Sequence, residues 1–256
     1  VAKNMAVRQP ISGTTIAANR LISRVLSDYE VICNGANLLP ATNHIVGPVT
    51  AVSAIERAGS LGTGPVAVNN TGTLQIDAGV SITNYTEVNL GGTLLVAGEL
   101  ADAVVNSGTV QGNGTVLALT NAAGGVVAPG ASVGVMTFNG SVVLEDDSVL
   151  ELEWSDSVTN DVMVVNGNFT ANGAPVIKVL NIGGTPAAST QVVLKVTGTY
   201  AGPVAGYQFD LPVWWTAITD GGDLIDLGGG NYGIAFLPEP GAVMMALLAV
   251  LGVRRR

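Results

Sequence analysis

From about residue 58 onward, the chain is built of short apolar runs in which apolar and polar residues alternate, punctuated by Gly and Asn. "GTGPVAVNNTGTLQIDAG", "TEVNLGGTLLVAGEL", "AVVNSGTVQGNGTVLALTNAAGGVVAPG" and "GVMTFNGSVVLEDDSVLELEW" all follow this pattern. A period of two marks strands that bury one face. The unit Gly-Thr-apolar returns at Gly72-Thr73-Leu74, Gly92-Thr93-Leu94, Gly108-Thr109-Val110 and Gly114-Thr115-Val116, at intervals that shorten along the chain. Imperfect repetition of this kind predicts the coils of a solenoid, whose rungs bury their apolar sides only against their neighbours. The expected fold is therefore all-β: a right-handed parallel β-helix (β-solenoid) over residues 58–200, a C-terminal β cap over 201–236 and a short apolar C-terminal helix within 237–256. Gly and Asn are expected at the corners, where left-handed backbone angles are needed.

Two zones depart from this texture. In residues 1–57, "TTIAANRLISRVLSDYEVI" places Ile16, Arg20, Arg24 and Asp28 at helical spacing, with Leu21, Ile22, Val25 and Leu26 on the apolar side and Thr14 or Thr15 as cap. The segment reads as a partly helical N-terminal region of unknown role. It shows no apolar stretch of the kind that drives secretion and begins with Val, which is explained by a true N-terminus, with any signal peptide, that is missing or replaced. In residues 201–236, Trp214 and Trp215 are adjacent and face opposite sides of a strand, one of them toward the core. Ile234, Phe236 and Leu237 supply a last strand that covers the open edge of the sheet.

Composition sharpens the picture. The chain has 34 Gly in 256 residues, 48% hydrophobic residues and 11% charged residues, the last against about 25% in ordinary domains. Such a chain is a turn-rich β protein rather than a disordered one. Its net charge is −9, and between Arg57 and Lys178 there is no Lys or Arg while eleven acids occur, from Asp77 to Asp161. Without a basic footprint to neutralise phosphates, nucleic acid is excluded as a partner. Cys33 is the only cysteine, which rules out a disulfide within the chain and a cysteine-based zinc site.

Candidate chemistry is sparse. His44, the only histidine, lies eleven residues from Cys33, and neither sits in a recognisable nucleophile motif. Glu145, Asp146, Asp147, Glu151, Glu153 and Asp156 form the densest acidic cluster. Glu151 and Glu153 share one face of a strand and must be weighed as a glycosidase pair. Polysaccharide lyases also need a basic residue near the acids, and this stretch has none. The cluster reads as a solvated strand face with its turn. No EF-hand loop or glycine-aspartate nonapeptide repeat is present. No catalytic residue, metal or cofactor is assigned.

The rungs resemble a known family. "AGSLGTGPVAVNNTGTLQI" resembles the autotransporter-associated β-strand repeat, and "VNSGTVQGNGTV" with "TNAAGGVVAPGASVGVMTFNG" resembles the end of such arrays. There a Pro-Gly corner, here Pro129-Gly130, precedes a Gly-anchored strand, although Ser132-Val133-Gly134 stands where Ser-Pro-Gly is usual. "SVLELEWSDSVTNDVMVVNGNFTANGAPVIKVL" keeps the order of a Leu-Glu-Leu strand, an Asp before an apolar strand, then an Asn-Gly turn. The resemblance covers residues 58–200 and implies a β-helix.

The end of the chain, "LPEPGAVMMALLAVLGVRRR", has thirteen residues without a polar side chain from Gly241 to Val253, then Arg254, Arg255 and Arg256. Arginines flanking an apolar helix hold its near end on the cytoplasmic side. The run rises only about 20 Å as a helix, short of the usual span of about 20 residues, which predicts a marginal or transient span. Pro238, Glu239 and Pro240, the apolar stretch and the arginine cluster together resemble the PEP-CTERM sorting signal of Gram-negative and related bacteria, with a shorter apolar segment than is usual there. That resemblance implies export, a transient membrane tether through the C-terminal helix, and processing near Pro-Glu-Pro by an exosortase. It also implies association with exopolysaccharide, biofilm or floc. The expected function is a non-enzymatic cell-surface or extracellular-matrix solenoid. The alternative is a secreted β-helix enzyme that degrades polysaccharide, which the lack of His or basic partners along the rungs disfavours.

Overall fold

The computed structural model describes residues 65–155, 159–183, 190–212 and 216–237 and, before residue 65, the backbone of strands between Asn4 and Ala51. Asp156, Trp214, Trp215, the Pro238-Glu239-Pro240 motif, the expected C-terminal helix and Arg254, Arg255 and Arg256 lie outside the described residues.

Every element among the described residues is a strand, and the long sheets are parallel, arranged as a β-solenoid. The alternation seen in the sequence is the cause. In Thr73–Ile76 and Thr93–Val96, every second residue is buried and the others are half-exposed. The first face of the solenoid stacks Pro48–Ala51, Thr73–Ile76, Thr93–Val96, Thr109–Gly112, Val126–Pro129, Val149–Trp154, Val176–Asn181 and Gln208–Asp210 in parallel. Thr73 opposes Thr93, and Thr93 opposes Thr109, so the first two intervals of the Gly-Thr-apolar unit are complete coils. The third, from Gly108 to Gly114, is not a coil. Thr115 begins the next face, where it opposes Glu99 and Thr137.

The larger sheet bends into two further faces. The second runs through Ser81–Ile82, the starts of Glu99–Asn106 and Thr115–Asn121, then Val135–Phe138, Val162–Val165 and Gln191–Val196. The third runs through Val66–Val68, Thr86–Val88, the ends of those two long strands, then Val142–Leu144, Phe169–Ala171 and Tyr200–Ala201. A register shift between Leu100 and Ala103 marks the bend.

Inward side chains form columns along the stack. Leu74, Leu94, Val110, Val127, Leu150 and Ile177 oppose one another in turn on the first face, each at most 1% exposed. On the second face Leu100, Val116, Phe138 and Val165 form a comparable column. Each such side chain contributes roughly 1.5–3 kcal/mol by leaving water. One column on the third face is polar in the middle: Val88, Asn106, Asn121 and Leu144. Asn106 and Asn121 are fully buried. Asn106 Nδ2 donates to Asn121 Oδ1 at 2.7 Å and to the Val126 carbonyl at 2.9 Å, and its Oδ1 accepts from the Gly108 amide at 3.0 Å. Asn121 Nδ2 donates to the carbonyls of Gly125 at 2.9 Å and Val149 at 3.2 Å. These bonds link the two buried amides to each other and to backbone groups nearby, so neither side chain is left unsatisfied.

The expectation for corner asparagines needs correction. Among the described residues outside glycine, only Thr71 and Asp147 have positive φ. The corner asparagines work by stacking their amides instead, as Asn89 does on Asn69 at 2.9 Å and Asn166 on Asn139 at 3.1 Å.

Parallel pairing continues to Asp210, past the expected boundary at residue 200. Beyond it, Thr216–Ile218 and Ile225–Gly228 pair antiparallel with Asn231–Leu237, which itself pairs antiparallel with Gln191–Val196. Tyr200 stacks between Phe169 and Tyr232, with ring centroids 5.6 and 3.9 Å away. Its hydroxyl donates to the Asp223 carboxylate, and burial pushes the Tyr200 and Tyr207 phenols above their ordinary range.

The helix expected within residues 14–32 is replaced by strands. Thr14–Ala18 pairs antiparallel with Leu21–Val25, which pairs antiparallel with Pro48–Ala51, the start of the first face. Glu30–Asn34 pairs antiparallel with Asn4–Val7 and Asn43–Val46. Ile16, Ile22, Val25, Val31 and Ile32 are β-branched, and an open sheet edge overrides a weak helical propensity.

Candidate functional site

From Thr93 onward the coils lengthen along the stack. First-face register runs from Thr93 to Thr109, Val126, Val149, Val176 and Gln208, so each coil takes up more chain than the one before it. The largest share of the added chain enters at the corner between the first and second faces. The chain between the flanking strands there is two residues long after Thr93–Val96 and after Thr109–Gly112, five after Val126–Pro129, seven after Val149–Trp154 and nine after Val176–Asn181.

Two cavities open at this corner. One, of about 260 Å³, is bounded by Gln75, Leu95, Ala97, Gln111 and Asn113. The other, of about 110 Å³, is bounded by Gln111, Pro129, Glu151, Glu153 and Asp161. Both include Gln111, Gly130 and Ala131, so they form one groove running across successive coils. Its floor needs glycine. Gly112 and Gly130 have φ of +129° and +100°, and a Cβ on Gly112 would run into the Val96 carbonyl of the coil below.

The acids gathered in the sequence are separated by the fold. Glu145, Asp146 and Asp147 occupy the turn between the third and first faces. There the Glu145 carboxylate accepts from Asn172 Nδ2 at 3.0 Å, Asp146 accepts from the Ala174 amide at 2.7 Å, and Asp147 holds a φ of +56°. These three acids build a corner. Glu151 and Glu153 lie on the first face, at the groove. Glu151 takes an ion pair from Lys178 of the next coil at 2.9 Å. Glu153 Oε2 is buried without a hydrogen-bond partner among the described residues.

Asp161 is the groove residue that the acidic cluster did not include. It is 1% exposed, its Oδ1 accepts from the Gly134 amide at 2.8 Å and its Oδ2 from the Glu153 amide at 2.7 Å. Burial, with added repulsion from Glu153 and Glu151, pushes its carboxyl up to about 7 even though the two amide bonds pull it down. The available signal was an acid placed directly before the apolar strand Val162–Val165. Such a position turns a charge inward as the strand begins.

The register opposes His44 to Ile32 and Cys33 to Met5, so it does not bring Cys33 and His44 opposite each other. Among the described residues no three His, Cys, Asp or Glu side chains are arranged to hold a metal ion, and no helix is long and apolar enough to cross a membrane. No protein-family model and no curated protein matches this chain.

Proposed function

We propose that this protein is an exported, non-enzymatic surface or matrix β-solenoid, sorted by a PEP-CTERM-type tail and associated with exopolysaccharide or biofilm. The observation that supports it is the combination, in one chain, of a stacked solenoid with a tail ordered as Pro238-Glu239-Pro240, apolar run and Arg254, Arg255, Arg256. A solenoid of this kind is a spacer with long lateral surfaces. The coil is right-handed, the sense that parallel strands joined by a crossover take in nearly all cases. The apolar run forms a short helix that tethers the exported chain with its arginines on the cytoplasmic side, until an exosortase cuts near Pro238-Glu239-Pro240. The test is the intact mass of the mature protein recovered from outside its native cells. The expected product lacks the residues after the Pro-Glu-Pro region, and a product that retains residues 254–256 refutes sorting.

A second reading, a polysaccharide-degrading enzyme, is favoured by one observation: Asp161 holds its proton up to about pH 7 beside Glu151 and Glu153 in a groove. A general acid needs that property. Release of reducing ends by the purified protein, abolished in Asp161→Asn, would favour this reading over the first.

A further inference from the structure

We propose that the groove at the corner between the first and second faces binds a single extended glycan chain without uronate or sulfate groups, lying across the coils. The proposal rests on the reading of the chain as an exported solenoid that meets polysaccharide.

Geometry supplies the first argument. The outward positions Gln75, Leu95 and Gln111 oppose one another on successive strands, and the groove continues past Pro129 to Glu151. Four strand steps of about 4.8 Å make it about 19 Å long, and each step is close to the length of one pyranose residue in an extended chain. A linear glycan therefore meets an equivalent strand position about once per sugar. The described residues 113–114 and 130–134 connect the strands that flank the groove, and binding groups concentrate on such connections.

Chemistry supplies the second. Gln111 borders both cavities, and its side-chain amide has no hydrogen-bond partner among the described residues. Gln75 Nε2 is held by Asp77 at 2.6 Å, which fixes the orientation of its amide. Leu95, Ala97 and Ala131 offer apolar surface to the C–H faces of the rings. The described lining holds three acids, Glu151, Glu153 and Asp161, and no Lys, Arg or His, while Lys178 of the next coil is taken up by Glu151. A polyanionic chain would find no cation in this lining to replace the water it gives up, so selectivity for uncharged glycans follows.

The test is calorimetric titration of the purified full chain with cellohexaose, mannohexaose, maltohexaose and hexagalacturonate. At least one neutral hexasaccharide is expected to bind and the hexauronate to bind more weakly or not at all. Gln111→Ala is expected to weaken that binding about three- to tenfold, the worth of one or two hydrogen bonds, while Asn166→Ala on another corner leaves it unchanged. On the wild type, the side-chain amide NMR signals of Gln75 and Gln111 should shift on titration, a readout that does not depend on any variant folding. Absence of neutral binding, equal or tighter hexauronate binding, or full affinity in Gln111→Ala overturns the proposal. Tail processing is read separately by mass, so a processed tail with no glycan binding overturns the groove and leaves sorting intact.

Discussion

Asp161 offers the sharpest test of the electrostatics at the groove. Its folded carboxyl stands at about 7, against about 3.9 in an unfolded chain. A raised folded value means that the native state holds the proton more tightly than the unfolded state. The stability it contributes is therefore full below about pH 4, falls as pH rises, and is lost above about pH 7. Three units correspond to at most about 4 kcal/mol, and water in the groove lowers that ceiling. Asp161→Asn removes the titration while keeping the shape, but its amide must turn one N–H toward the Gly134 or Glu153 amide that the carboxylate now satisfies. That conflict costs about 1–3 kcal/mol at every pH. The variant is thus less stable than the wild type at pH 4, and the gap narrows or reverses by pH 8. Urea unfolding of both proteins at intervals from pH 4 to 8 measures this. The wild-type-minus-variant difference should fall by about 2–4 kcal/mol across the range, because every other ionisable group is common to both proteins. A difference that stays flat or rises with pH refutes the assignment of a buried, proton-holding Asp161.

Two further outcomes concern the stack and its cap. Asn121→Ala deletes the bond from Asn106 and the bonds to the Gly125 and Val149 carbonyls, about 3 kcal/mol in all. That should lower the thermal midpoint by about 6–12 °C; a fall of under about 2 °C would show that water replaces the ladder. Tyr200→Phe keeps the ring between Phe169 and Tyr232 but leaves Asp223 without its hydroxyl donor. It should cost about 2 kcal/mol and speed amide exchange in Ile225–Gly228 more than in Thr93–Val96, whereas equal exchange in both strands would refute a role for Tyr200 in holding the cap.

The sequence made the strands legible and left the register open. Alternation identified Leu74, Leu94 and Val110 as inward residues, and Thr73, Thr93 and Thr109 proved to be one outer ladder. The same Gly-Thr-apolar signature at Gly114-Thr115-Val116 starts a second-face strand, because a sharp corner followed by a half-buried strand makes the same local demand on every face. Spacing alone therefore cannot separate a coil from a step between faces. Ile16 to Ile32 failed for a related reason: residues at helical spacing also included β-branched positions able to pair, and the competition was decided by the sheet edge at Pro48–Ala51.

The groove was the least legible part, and the solenoid itself explains why. Identical coils expose identical surfaces, so a site distinct from its neighbours arises only where coils differ. They differ most from Val126 onward, where the coils that start at Val126, Val149 and Val176 grow one after another, while those that start at Thr93 and Thr109 are nearly equal. Proximity in sequence then misleads: Glu145 and Glu151 are close along the chain but stand at a turn and on a face, respectively. Asp161, eight residues after Glu153, accepts from the Glu153 amide. The stretch of chain where the repeat becomes hardest to recognise is thus the stretch able to build a unique surface, and a break in periodicity within a solenoid is itself a pointer to function.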